Sequence, residues 1–218
     1  MSRPVVALFL LAAAAPAAMR AQPVPPAAAL LGRVDSGRYT SPDGGFRFTL
    51  PAGPAESPVL SDRESGAREF VVTYSDIYCR QVVIVETRGE LDAAALGGWV
   101  ATRVVGSMNP QLVVGLERRR DSTRLGPTEW LEWSSPGLAP CEEVTVSNRR
   151  AGDRVRPDAE AAMAVFIRPG RIYRVLYIAG RGAQGAVSNG VRRLPAGVVL
   201  RELLEGFEAG AEPGTGSR

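Results

Sequence analysis

The strongest constraint on the fold is the alternation of apolar and polar residues in short runs that end at turn sequences. Phe46, Phe48 and Leu50 alternate with polar residues directly after an Asp-Gly turn, which is typical of a β-hairpin. Two apolar runs, 163–168 and 172–179, are joined by Pro-Gly-Arg and form the clearest hairpin signal in the chain. The sequence therefore predicts a largely antiparallel sheet.

Further runs complete the predicted architecture. Residues 67–86 read as two strands, and 112–116, 128–134 and 142–147 continue the strand pattern. Helical spacing of apolar residues occurs over 91–108, weakened by Gly97-Gly98, and again from about Pro195. The sum predicts an α+β domain, in which a mostly antiparallel sheet of six to eight strands is flanked by two main helices.

The first residues of the chain predict that the protein is exported. Arg3 precedes a short apolar run that is followed by small residues, the pattern of a cleaved secretory signal rather than of a membrane span. We expect cleavage after Ala21, with Ala17 as the alternative, and no transmembrane segment in the mature protein. The predicted organisation is a signal peptide (1–21), a flexible leader (22–36), one α+β domain (37–209) and a disordered tail (210–218), in a periplasmic or secreted protein.

Composition restricts the chemistry. The chain has no histidine, and all 26 of its basic residues are arginine. These absences exclude histidine-based triads, the usual zinc sites, Schiff-base lysines and the Walker A lysine. Loss of Arg3 and Arg20 with the leader leaves the arginines nearly balanced by the 23 acidic residues. We therefore expect neither nucleic-acid binding nor an enzyme, metal site or cofactor.

Cys79 and Cys141 are the only two cysteines. In an oxidising compartment such a pair usually forms a structural disulfide. A disulfide closing a loop of this size stabilises by about 4 kcal/mol in the loop-entropy model. The alternatives are two buried thiols or a redox pair, and the lack of a Cys-x-x-Cys motif disfavours the latter.

A glycine-rich motif and two arginine clusters each have a simpler explanation than a binding site. Residues 180–185 match G-x-G-x-x-G, but the breakers that follow leave no room for the helix and strand of a dinucleotide-binding unit, so we read a glycine loop. Two arginine clusters, one at 118–120 with Arg124 and one at 149–150 with Arg154 and Arg156, read as solvated loop charge diluted by acids. Binding of an anionic partner is the alternative.

Concentrated carboxylates near tryptophans raise a catalytic alternative. Glu129 and Glu132 are three positions apart, so on a strand they face opposite ways. Glu142 and Glu143 follow further along the chain, and long-range pairing with Glu142, beside Trp130 and Trp133 as a sugar platform, would give a carboxylate-based hydrolase. Core tryptophans and surface glutamates explain the same residues, and no catalytic residue is assigned.

The order of elements also supports a resemblance. The opening motif 39–51 (YTSPDGGFRFTLP), the late hairpin 164–175 (AVFIRPGRIYRV) and a closing helix with Leu203, Leu204 and Phe207 resemble PsbP-like domains, small extrinsic proteins. The resemblance spans about 39–209. It implies an α-β-α sandwich with a non-enzymatic accessory or assembly role, and no functional residue is carried over.

Three functions follow as hypotheses. The leading one is a non-catalytic exported accessory module that binds a protein partner or stabilises an envelope assembly. The second is a periplasmic carrier of a lipid or other apolar ligand, motivated by the apolar strands 82–85 and 172–178. The third is the carboxylate-based hydrolase. A deep apolar cavity would favour the carrier, and a filled core with an exposed patch would favour the partner-binding module.

Overall fold

The dominant element is a seven-stranded antiparallel sheet. The computed structural model describes residues 33–41, 45–53, 55, 59–62, 67–74, 80–137, 144–145, 154–155, 158–180 and 194–209. In chain order the strands of this sheet are β4 (Val59–Asp62), β5 (Ala67–Thr73), β6 (Gln81–Arg88), β7 (Val114–Thr123), β8 (Gly126–Ser135), β11 (Ala159–Arg168) and β12 (Arg171–Gly180). Their spatial order is β4-β5-β6-β12-β11-β8-β7, so β7 forms one edge.

A smaller sheet packs against the large one. It contains β1 (Arg33–Asp35), β2 (Arg38–Thr40), β3 (Phe46–Thr49) and β13 (Glu208–Ala209), in the order β1-β2-β3-β13. A separate two-stranded pair is formed by β9 (Val144–Thr145) and β10 (Arg154–Val155). Strand β1 begins earlier than the predicted start of the domain at residue 37.

The predicted hairpin 163–179 is confirmed and is longer than expected. Strands β11 and β12 pair over their full lengths, from Ala159 opposite Gly180 to Arg168 opposite Arg171. Gly170 in the connecting turn has a φ of 69°, a conformation that favours glycine because a Cβ would be strained there. The local turn sequence therefore fixes the centre of the large sheet.

The predicted balance of helix and strand is wrong. In place of one helix over 91–108, the chain forms α1 (Leu96–Trp99), a π-helical turn (Val100–Val104) and a 3₁₀ turn (Val105–Ser107), which we call the helical segment 96–107. Within the described ranges, α2 (Ala196–Glu205) alone is a regular helix, of ten residues. The described residues are mostly antiparallel β-structure with two short helices, not an α-β-α sandwich flanked by two main helices.

The sequence explains why the first helix is irregular. Gly97 and Gly98 lie within α1, where glycine is the least favourable residue apart from proline. Side-chain hydroxyls then compete for backbone carbonyls: Thr102 Oγ1 donates to Gly98 O at 3.0 Å, and Ser107 Oγ donates to Val104 O at 2.8 Å. Such bonds bend a helix and loosen its regular pattern.

Two clusters of buried side chains lie on opposite faces of the large sheet. On β8, Trp130 belongs to one cluster and Leu131 to the other, as the alternation of a strand requires. The first cluster is rich in aromatic rings and is covered by α2 and the small sheet; its rings are Tyr39, Phe46, Phe48, Phe70, Tyr74, Trp130, Phe166, Tyr173, Tyr177 and Phe207. The second lies under the helical segment 96–107. The small sheet thus takes the place that the sequence prediction gave to helix.

Several predictions fall outside the described residues. These are the signal peptide 1–21, the tail 210–218, the disulfide between Cys79 and Cys141, and the glycine motif beyond Gly180. Each of them stays a prediction.

Candidate partner-binding surface

Strand β7, at one edge of the large sheet, is the most exposed of the strands of that sheet whose side chains the structure describes. It is ten residues long, and only Leu116 and Thr123 are partly covered while the rest are exposed. Among the described strands its one neighbour is β8. Val114, at its start, is an apolar residue that is 54% exposed.

An irregularity interrupts the pairing of β7 near its beginning. Val114 pairs with Ser134 and Glu117 pairs with Glu132, so the register shifts between these two positions. Gly115 lies within the shift and has a φ of 65°. A bulge with glycine in this conformation bends an edge strand and increases its twist, so the five charged residues that follow begin at a defined register.

Those five residues are Glu117, Arg118, Arg119, Arg120 and Asp121. The sequence interpretation placed the arginines in a loop, and this is wrong because they form the middle of a strand. Charged side chains are disfavoured in a central strand but are common on an edge, where they discourage unwanted pairing. The cluster is therefore an edge feature of the sheet.

Two of these arginines bind a buried carboxylate on the helical-segment face. The Glu129 side chain is 4% exposed, and Arg118 Nε donates to its Oε2 at 2.9 Å. Arg120 Nε lies 3.8 Å from Glu129 Oε1. Arg118 and Arg120 also donate to main-chain carbonyls, to Gly97 O at 2.6 Å and to Ala93 O at 2.7 Å. The network therefore connects the edge strand to the start of the helical segment 96–107 and to the turn directly before it.

The opposite face of strands β7 and β8 carries Arg119, Trp130 and Glu132. Together with Arg201 of α2 they form what we call the arginine–tryptophan cluster. Arg119 donates to Glu132 Oε1 at 2.8 Å. The guanidinium carbons of Arg119 and Arg201 lie 5.6 and 5.2 Å from the Trp130 ring centroid. These are distances at which a cation is attracted to an aromatic face. Arg201 belongs to α2, so the cluster links the edge of the sheet to the helix.

A glycine makes room for this cluster. A Cβ placed on Gly197 of α2 would lie 2.4 Å from Glu132 Oε2. The absence of a side chain at this position lets the helix approach the Glu132 carboxylate closely.

A cavity of about 380 Å³ opens beside the cluster, between the β7–β8 turn and α2. Trp130, Leu125 and Leu204 line it and are almost completely buried, while Arg201 and Glu205 are exposed at its rim. The Nε1 of Trp130 is buried and has no hydrogen-bond acceptor among the described residues.

Arg124 in the β7–β8 turn holds the two walls of this cavity together. Its guanidinium donates to Leu204 O at 3.1 Å and also to Phe207 O. Leu204 lies in the last turn of α2 and Phe207 directly follows the C-cap of the helix, so the cation lies where it interacts favourably with the helix dipole. The cavity is therefore built by a fixed contact between turn and helix.

The small sheet presents a second polar surface, next to a cavity of about 690 Å³. Glu208 of β13 pairs with Arg38 of β2 and Arg47 of β3. The hydrogen bonds from Arg47 and then Arg38 hold the pKa of Glu208 below its usual range. Here too the arginines are paired, and the surface joins the carboxyl end of the described chain to its beginning.

The carboxylates considered for hydrolysis are not brought together as a pair. Glu129 faces the helical segment 96–107, and Glu132 faces α2, each with its own arginine partner. Trp130 and Trp133 also face opposite sides of the sheet. Glu142 and Glu143 lie outside the described residues, as do Arg149, Arg150 and Arg156.

Sequence reasoning missed the contribution of α2 to this surface. Arg201 and Gly197 lie about seventy positions from Trp130 and Glu132 in the sequence, and no local pattern connects them. The one available signal was the exposure of Arg201 on the predicted amphipathic helix.

In the part of the chain that the structure describes, no group of three or more metal-ligating side chains occurs. No helix in that part has the length and apolar character needed to cross a bilayer.

Comparison with known proteins gives no family for this chain. No family model matches it, and no curated protein matches its sequence. The resemblance to PsbP-like domains therefore stays a prediction from sequence patterning.

Proposed function

We propose that this chain is a non-catalytic exported accessory module that binds a protein partner along the open edge of β7. The single observation that carries the proposal is the exposure of a ten-residue edge strand with one described neighbour. An edge of this kind offers unpaired backbone N–H and C=O groups, and an extended segment of another protein uses them to add a strand. The run of charges on β7 then selects the partner.

The order of those charges favours a different protein over a second copy of this chain. If two β7 strands paired antiparallel about Arg119, Arg118 would lie opposite Arg120 and Glu117 opposite Asp121. Like charges placed directly opposite each other destabilise a strand pair. In this register the edge therefore resists pairing with itself while remaining open to a strand of complementary charge.

The packing of the described core supports a partner-binding module more than an apolar carrier. Aromatic rings fill the space between the large sheet, the small sheet and α2. The ring centroids of Phe207 and Phe166 lie 5.4 Å apart, and those of Phe46 and Phe207 lie 5.9 Å apart. The cavities seen among the described residues, of about 690, 380 and 80 Å³, are each lined by charged side chains. A carrier of apolar ligands needs a largely apolar cavity.

Site-specific crosslinking tests the proposal. A photo-activatable phenylalanine analogue replaces Glu117 on β7 in the full chain, expressed in the cells that normally produce it. A matched control carries the same analogue at Arg103, which is exposed on the helical segment 96–107. We expect one discrete crosslinked protein from position 117 and none from position 103.

Two outcomes would contradict the proposal. One is equal crosslinking from both positions, which would indicate random collision. The other is the absence of any product from position 117. The exported location is tested in the same cells, because fractionation should recover the protein outside the cytoplasm with residues 1–21 removed.

A further inference from the structure

The five charged residues of β7 are divided between the two faces of its open edge. Arg118 lies opposite Leu131, which belongs to the buried cluster under the helical segment 96–107. Arg119 lies opposite Trp130, which belongs to the cluster covered by α2. Successive residues of a strand point to opposite faces, so the charges of β7 alternate between a helical-segment face and an α2 face.

The helical-segment face carries an excess of positive charge. Arg118 and Arg120 lie on this face and share one carboxylate, that of Glu129. Each guanidinium carries five N–H donors, and the two arginine side chains remain 33% and 45% exposed. A strand added beside β7 therefore meets two accessible arginines at alternate positions. Acidic side chains directly opposite them would stabilise the pairing.

The α2 face carries the opposite excess. Arg119 pairs with Glu132 of β8, so its charge is already matched by a carboxylate. Glu117 and Asp121, two positions to either side of Arg119, are exposed and form no ion pair within the described part of the chain. Arg201 of α2 lies over a residue of β8, which is one strand further from the open edge. Basic side chains opposite the two free acids would stabilise an added strand.

The bulge in β7 fixes where this pattern begins. The pairing of β7 with β8 shifts between Val114 and Glu117 and is then regular as far as Thr123. A bulge bends its strand and disrupts the ladder locally. An added strand can therefore pair regularly from Glu117 onward, and the charged run lies at the start of this regular part.

We propose that β7 accepts an extended segment of a partner protein with the charge order basic, acidic, neutral, acidic, basic. The two acids lie opposite Arg118 and Arg120, and the two bases lie opposite Glu117 and Asp121. The neutral residue lies opposite Arg119. This inference rests on the proposed function, because it names the partner of the same edge. The order reads the same in both directions, so the charges fit a parallel or an antiparallel strand.

Fluorescence polarisation with the purified chain tests the charge order. The probe is a labelled, amidated peptide, Thr-Thr-Lys-Glu-Thr-Glu-Lys-Thr-Thr, in which threonine favours an extended strand. The comparison peptide, Thr-Thr-Glu-Lys-Thr-Lys-Glu-Thr-Thr, has the same composition and net charge but exchanges the charges between the two faces. We expect the first peptide to bind at least about tenfold more tightly, because like charges directly opposite each other destabilise a strand pair.

A third peptide tests whether binding is strand addition. It has the sequence of the first peptide and is N-methylated at the central threonine and at the residue after it. All side chains and charges are kept, but of two successive backbone N–H groups one faces the neighbouring strand and is now lost. We expect about tenfold weaker binding, because the partner carbonyl of β7 is left without its donor.

Variants of the chain assign the preference to the α2 face. The double change Glu117→Arg and Asp121→Arg should bind the first two peptides about equally, because each peptide then has two favourable and two unfavourable pairs. The matched control combines Glu90→Arg with Glu202→Arg. Both of these glutamates are exposed, and the change in net charge is the same. This control should keep the tenfold preference.

Four results would overturn the inference: no binding of the first peptide, equal binding of the first two peptides to the parent chain, full affinity of the methylated peptide, or an unchanged preference in the variant at positions 117 and 121. Crosslinking from position 117 that persists alongside any of these results would remove the charge order and leave the proposed function standing. Absence of that crosslink would remove the proposed function and this inference with it.

Discussion

Neutralising Glu129 should loosen the edge strand from the helical segment 96–107. The Glu129 carboxylate is 4% exposed and lies between Arg118 and Arg120. The change Glu129→Gln preserves the size of the side chain and removes its charge. Both arginines then lose the ion pair with this side chain, whose amide oxygen can accept from one of them, and they keep their bonds to the Gly97 and Ala93 carbonyls.

The size of the effect follows from how exposed the partners are. Removing one member of a fully buried ion pair costs about 3–5 kcal/mol, whereas an exposed pair contributes about 0–1 kcal/mol. The Arg118 and Arg120 side chains are 33% and 45% exposed, so water partly replaces the lost carboxylate. We expect a loss of about 2 kcal/mol in the free energy of unfolding, between these limits. This corresponds to a decrease in Tm of about 4–8 °C for a domain of this size.

Urea unfolding followed by tryptophan fluorescence measures the change in free energy, and thermal unfolding measures the Tm. The matched control is Glu90→Gln, because Glu90 is exposed and the change should alter the free energy by less than about 0.5 kcal/mol. If the two variants unfold at the same urea concentration, the Glu129 network does not hold the edge strand and the reasoning is refuted.

Three further changes test other parts of the structure. Phe207→Ala should lower the free energy of unfolding by about 3–5 kcal/mol, because the ring is fully buried among other aromatic rings; a loss below about 1 kcal/mol in urea titration would contradict this packing. Gly98→Ala should raise stability by up to about 1 kcal/mol, since a Cβ there meets nothing within 4 Å, whereas Gly197→Ala should gain nothing because its Cβ meets Glu132; equal Tm changes would count against this contrast. The lowered pKa of Glu208 means that its stabilisation is fully present above the usual glutamate value of 4.5 and is lost as the pH falls through the lowered value. The Tm difference between the parent and Glu208→Gln should therefore shrink below pH 4.5, and a difference that grows in acid would show the opposite sign.

Local sequence patterns predicted the strands well where apolar and polar residues alternate beside a turn. The hairpin of β11 and β12 is the clearest case, because Pro169-Gly170 marks its turn and both flanking runs are apolar. Strand β8 was also predicted, from the alternation around Trp130. These signals act over a few residues, so a single sequence is enough to read them.

Long-range pairing explains the main errors. Glu208 of β13 lies opposite Arg47 of β3 in the small sheet, although most of the chain separates them in sequence. No local pattern indicates that the residues after α2 complete a sheet with β3. The helical spacing over 91–108 was real, but Gly97-Gly98 and the hydroxyls of Thr102 and Ser107 divide it into short turns. The predicted fold was therefore too rich in helix.

The candidate surface was predictable only in part. The sequence shows the charged run with Arg118 to Arg120, yet the place of this run on an edge strand depends on which strand lies beside it. Arg201 and Gly197 approach β8 only because α2 folds back over the large sheet. Contacts between distant elements depend on packing, which a single sequence does not display.

Amide hydrogen exchange on the isolated complex tests the central claim most directly. The protein crosslinked from position 117 identifies the partner, which is then purified and mixed with the unmodified chain. Exchange is measured by mass spectrometry with and without the partner. We predict slower exchange along Val114–Thr123, because an added strand protects the open side of β7, with little change in the helical segment 96–107. Unchanged exchange along β7 in a complex that forms elsewhere would contradict the account.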